Sequence, residues 1–149
     1  MPQFKFNYKI SSENNLITIV EIGVLNLKSL FSFIKALNSD PLFSPKLDHI
    51  VDLNDIKFEL TLEDVNKYVQ HLESNSKIYG IKKIALITNT PNQVVYSTLF
   101  KIAKEQLQPL QSVEIFSTLQ SAYNFIGKKT ISFNQVSQTI NQLKKEMIA

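Results

Sequence analysis

The run Ile84-Ala85-Leu86-Ile87 constrains the fold of this sequence more than any other stretch. It is continuously apolar, with Lys82-Lys83 before it and Thr88-Asn89-Thr90-Pro91 after it. A short run without alternation fits a central strand covered on both faces, the usual situation in a parallel sheet. Parallel strands need crossover connections, normally helices. The chain therefore has to supply helices on either side of this run, and its periodicity does so.

Phe4, Phe6, Tyr8 and Ile10 alternate with polar residues, which predicts a half-buried strand. Residues 11–15 read as a turn, residues 16–22 as the second arm of a hairpin, and Gly23 as a bend or bulge at its end. Asn26 caps a helix whose apolar face is Leu27, Leu30, Phe31, Ile34 and Leu37. Residues 47–53 form a strand, which residues 56–60 extend after an interruption at Asn54-Asp55. Thr61 and Asp64 make a capping box, Leu60 and Val65 a hydrophobic staple, and Leu62, Val65, Tyr68, Val69 and Leu72 the buried face of the next helix. Gly80 falls in the loop that follows.

Beyond the central run, Thr90-Pro91-Asn92-Gln93 is a helix start, and Val95, Leu99, Ile102 and Gln106 line one side of that helix. Pro109 ends the segment. Residues 113–116 are the last strand. Thr118 caps a short helix with Leu119, Ala122, Phe125 and Ile126 inward and Gly127 at its C-terminal cap. A final helix opens with the capping box Ser132 and Gln135. Its seam, Phe133, Val136, Ile140, Leu143 and Met147, has coiled-coil spacing, and suits docking on the chain's own sheet or a homodimer contact. The order β-β-α-β-α-β-α-β-α-α specifies one α/β domain over residues 1–127, with residues 128–149 as a C-terminal helix on that domain or at a dimer interface.

Composition narrows the function classes. The 149 residues include no Cys, so thiolate metal sites, disulfides and a Cys nucleophile are excluded. The formal charge of +3 comes from 16 basic residues, every one a Lys, against 13 acidic ones. Without the bidentate guanidinium fork, and with the lysines scattered, nucleic acid is not an expected partner. The start of the chain has no apolar h-region, and no stretch approaches the ~18 apolar residues of a transmembrane helix, so a cytoplasmic location is expected.

Motifs for chemistry are sparse. His49 and His71 have no partner at metal-ligand spacing, and both read as structural. Neither GxSxG nor SxxK occurs, and three glycines cannot make a dinucleotide or phosphate loop, so no cofactor is expected. The densest charge feature is the acidic set Asp48, Asp52, Asp55, Glu59, Glu63 and Asp64; Asp52 falls near the carboxyl end of the third strand, an edge that Asn54, Asp55, Asn89 and Thr90 share, with Thr61 at the following helix start. In open α/β sheets ligands bind at that edge. The same residues also satisfy ordinary turn chemistry.

Three stretches carry a family likeness: residues 23–45, with the loop Asp40-Pro41-Leu42-Phe43-Ser44-Pro45; His49-Ile50-Val51-Asp52-Leu53-Asn54-Asp55; and residues 113–126, Val-Glu-Ile-Phe-Ser-Thr-Leu-Gln-Ser-Ala-Tyr-Asn-Phe-Ile. In this order and spacing they resemble the small bacterial STAS-like proteins of the anti-sigma factor antagonist type, grouped also with SEC14 domains. The resemblance implies a STAS-like βα superhelical fold, with a mixed, mostly parallel five-stranded sheet, an N-terminal β-hairpin and an additional C-terminal helix. It also implies a non-enzymatic regulatory module with a protein partner and a contact edge at Asp52, Asn54, Asp55, Thr61, Asn89 and Thr90. The alternative it leaves open is a carrier of a small apolar ligand or lipid, held in a pocket between sheet and helices. True antagonists carry a phosphorylatable Ser directly after an Asp; here Asp52 is followed by Leu53-Asn54-Asp55.

Overall fold

A computed structural model describes residues 3–74, 82–107 and 111–148; the expectations for Gly80 and Pro109 lie outside the described residues. The strands are β1 (Lys5–Ser11), β2 (Leu16–Leu25), β3 (Asp48–Phe58), β4 (Lys82–Ile87) and β5 (Gln111–Phe116). The helices are α1 (Leu27–Ser39), α2 (Leu62–Ser74), α3 (Pro91–Leu107), α4 (Leu119–Ile126) and α5 (Phe133–Ile148).

The five strands form one sheet in chain order. β1 and β2 pair antiparallel, as the predicted hairpin, and β2, β3, β4 and β5 are parallel neighbours. β4 is buried along both faces, as its unbroken apolar run requires. Sequential parallel strands joined by helices carry the chain steadily across the sheet. The α/β architecture, mixed sheet, hairpin and C-terminal helix match the sequence expectation.

Each sheet face carries its own core. Ile17, Ile19, Val51, Leu53, Ile84, Leu86 and Val113 pack against α1, α2 and α3. Leu16, Val20, Ile50, Ala85 and Ile87 pack against α4 and α5, through Ala122, Ile126, Val136, Ile140 and Leu143. The seam of α5 is thus buried on the chain's own sheet at Val136, Ile140 and Leu143, with Phe133 and Met147 half-buried.

The helix starts use the predicted caps. The Asn26 side chain accepts from the Ser29 amide. Thr61 and Asp64 exchange hydrogen bonds as a capping box, and so do Ser132 and Gln135. Gly127 closes α4 at φ 69, a left-handed value that suits glycine.

Four local expectations are corrected. Gly23 does not end β2; it lies inside the strand at φ 97, paired with Ile56. β3 is one strand from Asp48 to Phe58, and the interruption at Asn54 is a bulge: Val20 pairs with Asp52 but Ile22 with Asp55, so Leu53 and Asn54 together oppose Glu21. Leu62 is exposed, because the α2 face begins at Val65. Most instructive is α3. Its buried residues are Gln93, Ser97 and Lys104, while Val95 and Ile102 are 53 % and 51 % exposed. The helix turns a polar stripe inward.

Gln93 shows one reason. Its side-chain amide donates to the carbonyls of Asn54 (3.1 Å) and Ile56 (2.9 Å) in the bulged strand. Its oxygen accepts from the amides of Asn89 (2.7 Å) and Thr90 (3.2 Å). Replacing it with an apolar residue strands buried backbone groups, each costing about 1–3 kcal/mol. Gln93→Leu is expected to lower the urea midpoint by the equivalent of at least ~2 kcal/mol. Ile140→Ala, which empties part of the second core, is expected to cost ~2–5 kcal/mol. Unchanged midpoints in equilibrium unfolding contradict these packing roles.

Candidate functional site

The first core is not completely filled. Between the sheet and the α1–α3 layer lies a cavity of about 130 Å³. β2, β3 and β4 form its floor through residues such as Ile19, Val51 and Leu86, and α1, α2 and α3 form its roof through residues such as Phe33, Val65 and Phe100. A void of this size exceeds by far the ~10–15 Å³ needed for one water, and approaches the ~150 Å³ of an apolar cavity that admits benzene.

The wall also carries titratable and polar groups: Glu21 from β2, His49 from β3, Tyr68 from α2, Lys82 from β4, and Ser97 and Lys104 from α3. Strand alternation places three of them. Ile17, Ile19 and Glu21 share one face of β2; His49, Val51 and Leu53 share that face of β3; Lys82, Ile84 and Leu86 share it on β4. Helical spacing places Ser97 and Lys104 below Gln93 on α3.

The polar groups sit at opposite ends. Ile17 pairs with His49, and His49 with Ile84. Lys82 lies two residues before that row and Glu21 four residues after it. At ~3.3 Å per residue, Lys82 and Glu21 are roughly 20 Å apart along the sheet. The cavity wall therefore has a basic end and an acidic end with apolar lining between.

Burial governs the protonation states. Glu21 is only 5 % exposed, and desolvation pushes its carboxyl up to about 8. At neutral pH it is an un-ionised acid. His49 is 9 % exposed and is held well below the ordinary imidazole range, first by burial and then by the charges of Lys82 and Lys104. Among the described residues its Nε2 has no hydrogen-bond partner, and the same is true of Ser97 Oγ. Burial, and then the charge Glu21 acquires on ionising, push the Tyr68 hydroxyl above its usual value. Lys82 and Lys104 are buried and engaged in contacts of their own.

The edge expected from sequence is elsewhere. Asp52 points to the opposite sheet face, where Lys144 of α5 binds it at 3.0 Å and reaches Asp55 at 3.5 Å. Desolvation works against the Lys144 charge, but the two carboxylates outweigh it and hold the ammonium above its ordinary value. Asp52 also accepts from the Asn54 amide. Asn89 and Thr90 join this edge through Gln93, whose Oε1 accepts from both their amides while its Nε2 donates to the Asn54 carbonyl. Thr61 is not drawn in; its hydroxyl caps α2. Among the described residues no group of three His, Asp or Glu is placed to hold a metal ion, and no helix is long and apolar enough to cross a membrane.

Sequence reasoning passed over Glu21, Tyr68 and Lys104 as site residues. A signal existed for Glu21: it is the lone acid in the run Leu16–Leu25. The folded carboxyl holds its proton to about pH 8, whereas the unfolded one loses it near 4.5. Between those values the folded state binds more protons, so stability falls as pH rises, by at most about 1.4 kcal/mol per pH unit. Below 4.5 and above 8 this group contributes no slope. Urea unfolding from pH 5 to 8.5 is expected to show the decline in the wild type and a flatter profile in Glu21→Gln. Identical profiles contradict the burial of an un-ionised Glu21.

Among solved structures, the fold is similar to that of an uncharacterised protein of the DUF3478 family from Shewanella loihica PV-4, described as having a SpoIIAA-like fold. The TM-score is 0.54 at 14 % sequence identity, over 83 % of this chain and 93 % of that one. No family model matches the sequence, and no curated protein does. The strand order, the hairpin and the backbone likeness agree: this chain has the SpoIIAA-like fold, the STAS-like architecture of anti-sigma factor antagonists.

Proposed function

We propose that this chain is a non-enzymatic binding module that takes a small, mainly apolar molecule into the cavity between the sheet and the α1–α3 layer. The observation that carries this reading is the cavity itself: about 130 Å³ left open in a core with polar side chains buried in its wall. Protein interiors are close-packed, and an unfilled volume of this size forfeits dispersion contacts over its whole lining. Glu21, His49 and Ser97 add desolvation costs that a well-packed apolar residue avoids. A resident small molecule offsets both costs.

The second reading is a regulatory module that contacts a protein partner. It rests on the exposed part of the edge beyond the end of β4, where Asp55, Asn89 and Thr90 face solvent. Asp52 is covered there by Lys144, so a partner meets Asp55 and the β4–α3 loop rather than the full predicted set. A cytoplasmic role and a homodimer remain part of this second proposal, although the α5 seam is largely used within the chain.

Two measurements test the cavity reading. Native mass spectrometry of the protein purified from its own cells is expected to show a small molecule retained. Adding benzene at ~100 times its dissociation constant is expected to stabilise by about 2.7 kcal/mol, which raises the melting temperature by roughly 5–10 °C. An apo mass together with an unmoved melting temperature argues against the cavity and leaves the edge as the functional surface.

A further inference from the structure

The acidic end of the cavity has a chemistry of its own. Glu21 occupies a position that strand alternation gives to a branched apolar residue, following Ile17 and Ile19 on one face. The bulge at Leu53-Asn54 lies directly across from it; bulges are common next to sites because they re-aim side chains. The carboxyl makes no hydrogen bond or ion pair among the described residues, though Glu21 is buried. The Tyr68 hydroxyl makes none among the described residues either, and it lies within electrostatic reach of Glu21 on the same cavity wall.

We propose that the cavity's ligand is a neutral, mostly apolar molecule bearing a carbonyl-type oxygen, which accepts hydrogen bonds donated by the Glu21 carboxyl and the Tyr68 hydroxyl. This deepens the cavity reading and rests on it. The ligand oxygen has two lone pairs and no proton, so it complements two O–H donors on one cavity wall, one from β2 and one from α2. An un-ionised acid beside a phenol in an apolar site is a known way to hold such an oxygen. A carboxylate ligand is disfavoured at this end, since it has to share the wall with a second acid.

The charged surroundings set the pH behaviour. From α2 comes Tyr68, from β3 His49, from β4 Lys82, and from α3 Tyr96 and Lys104; α1 offers apolar side chains and Asn38. His49 is neutral above pH 7, Tyr68 keeps its proton, and the Tyr96 hydroxyl donates to the Leu60 carbonyl at 2.6 Å. The two lysines belong to the far end. Loss of the Glu21 proton above about pH 8 therefore removes one donor and places a charge beside the ligand oxygen.

The test uses cyclohexanone and methylcyclohexane, similar in size, titrated into the full chain at pH 6.5 and 9.5 and followed by NMR chemical shifts. Cyclohexanone affinity is expected to fall about tenfold or more at the higher pH, while methylcyclohexane affinity holds. Glu21→Gln, which keeps an N–H donor, is expected to bind the ketone without that pH dependence. Glu21→Leu is expected to lose the ketone about tenfold and keep the hydrocarbon. Should a variant fail to fold, the two probes on wild type decide alone. Hydrocarbon binding with a ketone affinity indifferent to pH, or equal loss of both probes, overturns the carbonyl inference and leaves the cavity reading standing. Failure of both probes to bind at either pH overturns the two together.

Discussion

Parallel pairing of β2, β3, β4 and β5 is the constraint on which the other features depend. Such a sheet has to be covered on both sides, because its strands carry apolar side chains on both. The chain meets this with α1, α2 and α3 over one face and α4 and α5 over the other. The second face closes tightly on small and branched residues such as Ala85, Ala122 and Val136. The first face does not, and its unfilled space becomes the cavity.

That asymmetry explains where polar residues are buried. A filled layer excludes a lone carboxyl, since nothing relieves its desolvation. A layer with a cavity gives it somewhere to point. Glu21, Tyr68 and Ser97 all line the open layer, whereas the buried carboxylate of the closed one, Asp52, is paired with Lys144. The paired ions belong to a structural latch between β3 and α5. The groups around the cavity carry the chemistry proposed for a ligand.

The helices divide in the same way. α5 follows the ordinary rule: its apolar seam meets the sheet and its polar side faces water. α3 departs from it, with Gln93, Ser97 and Lys104 inside and Val95 and Ile102 outside. Reading α3 by binary pattern fails because the pattern assumes a dry apolar floor. Here the floor offers bulge carbonyls for Gln93 and an open volume beside Ser97, so polar side chains go inward.

The sequence by itself determined the order of elements, the hairpin, the caps and the parallel centre, because these depend on local periodicity and on Asn, Thr, Ser and Gly chemistry at helix ends. It showed the polar cluster Asp52, Asn54 and Asp55 but set it at the end of its strand, whereas these residues lie inside β3, at the bulge. It did not mark Glu21, because in a strand buried on both faces alternation no longer distinguishes one side from the other. Only tertiary packing decided that the face holding Glu21 looks into a void, that Tyr68 reaches it from α2, and that Lys144 closes over Asp52. Those outcomes depend on how far two layers stand apart, a distance that no local pattern encodes.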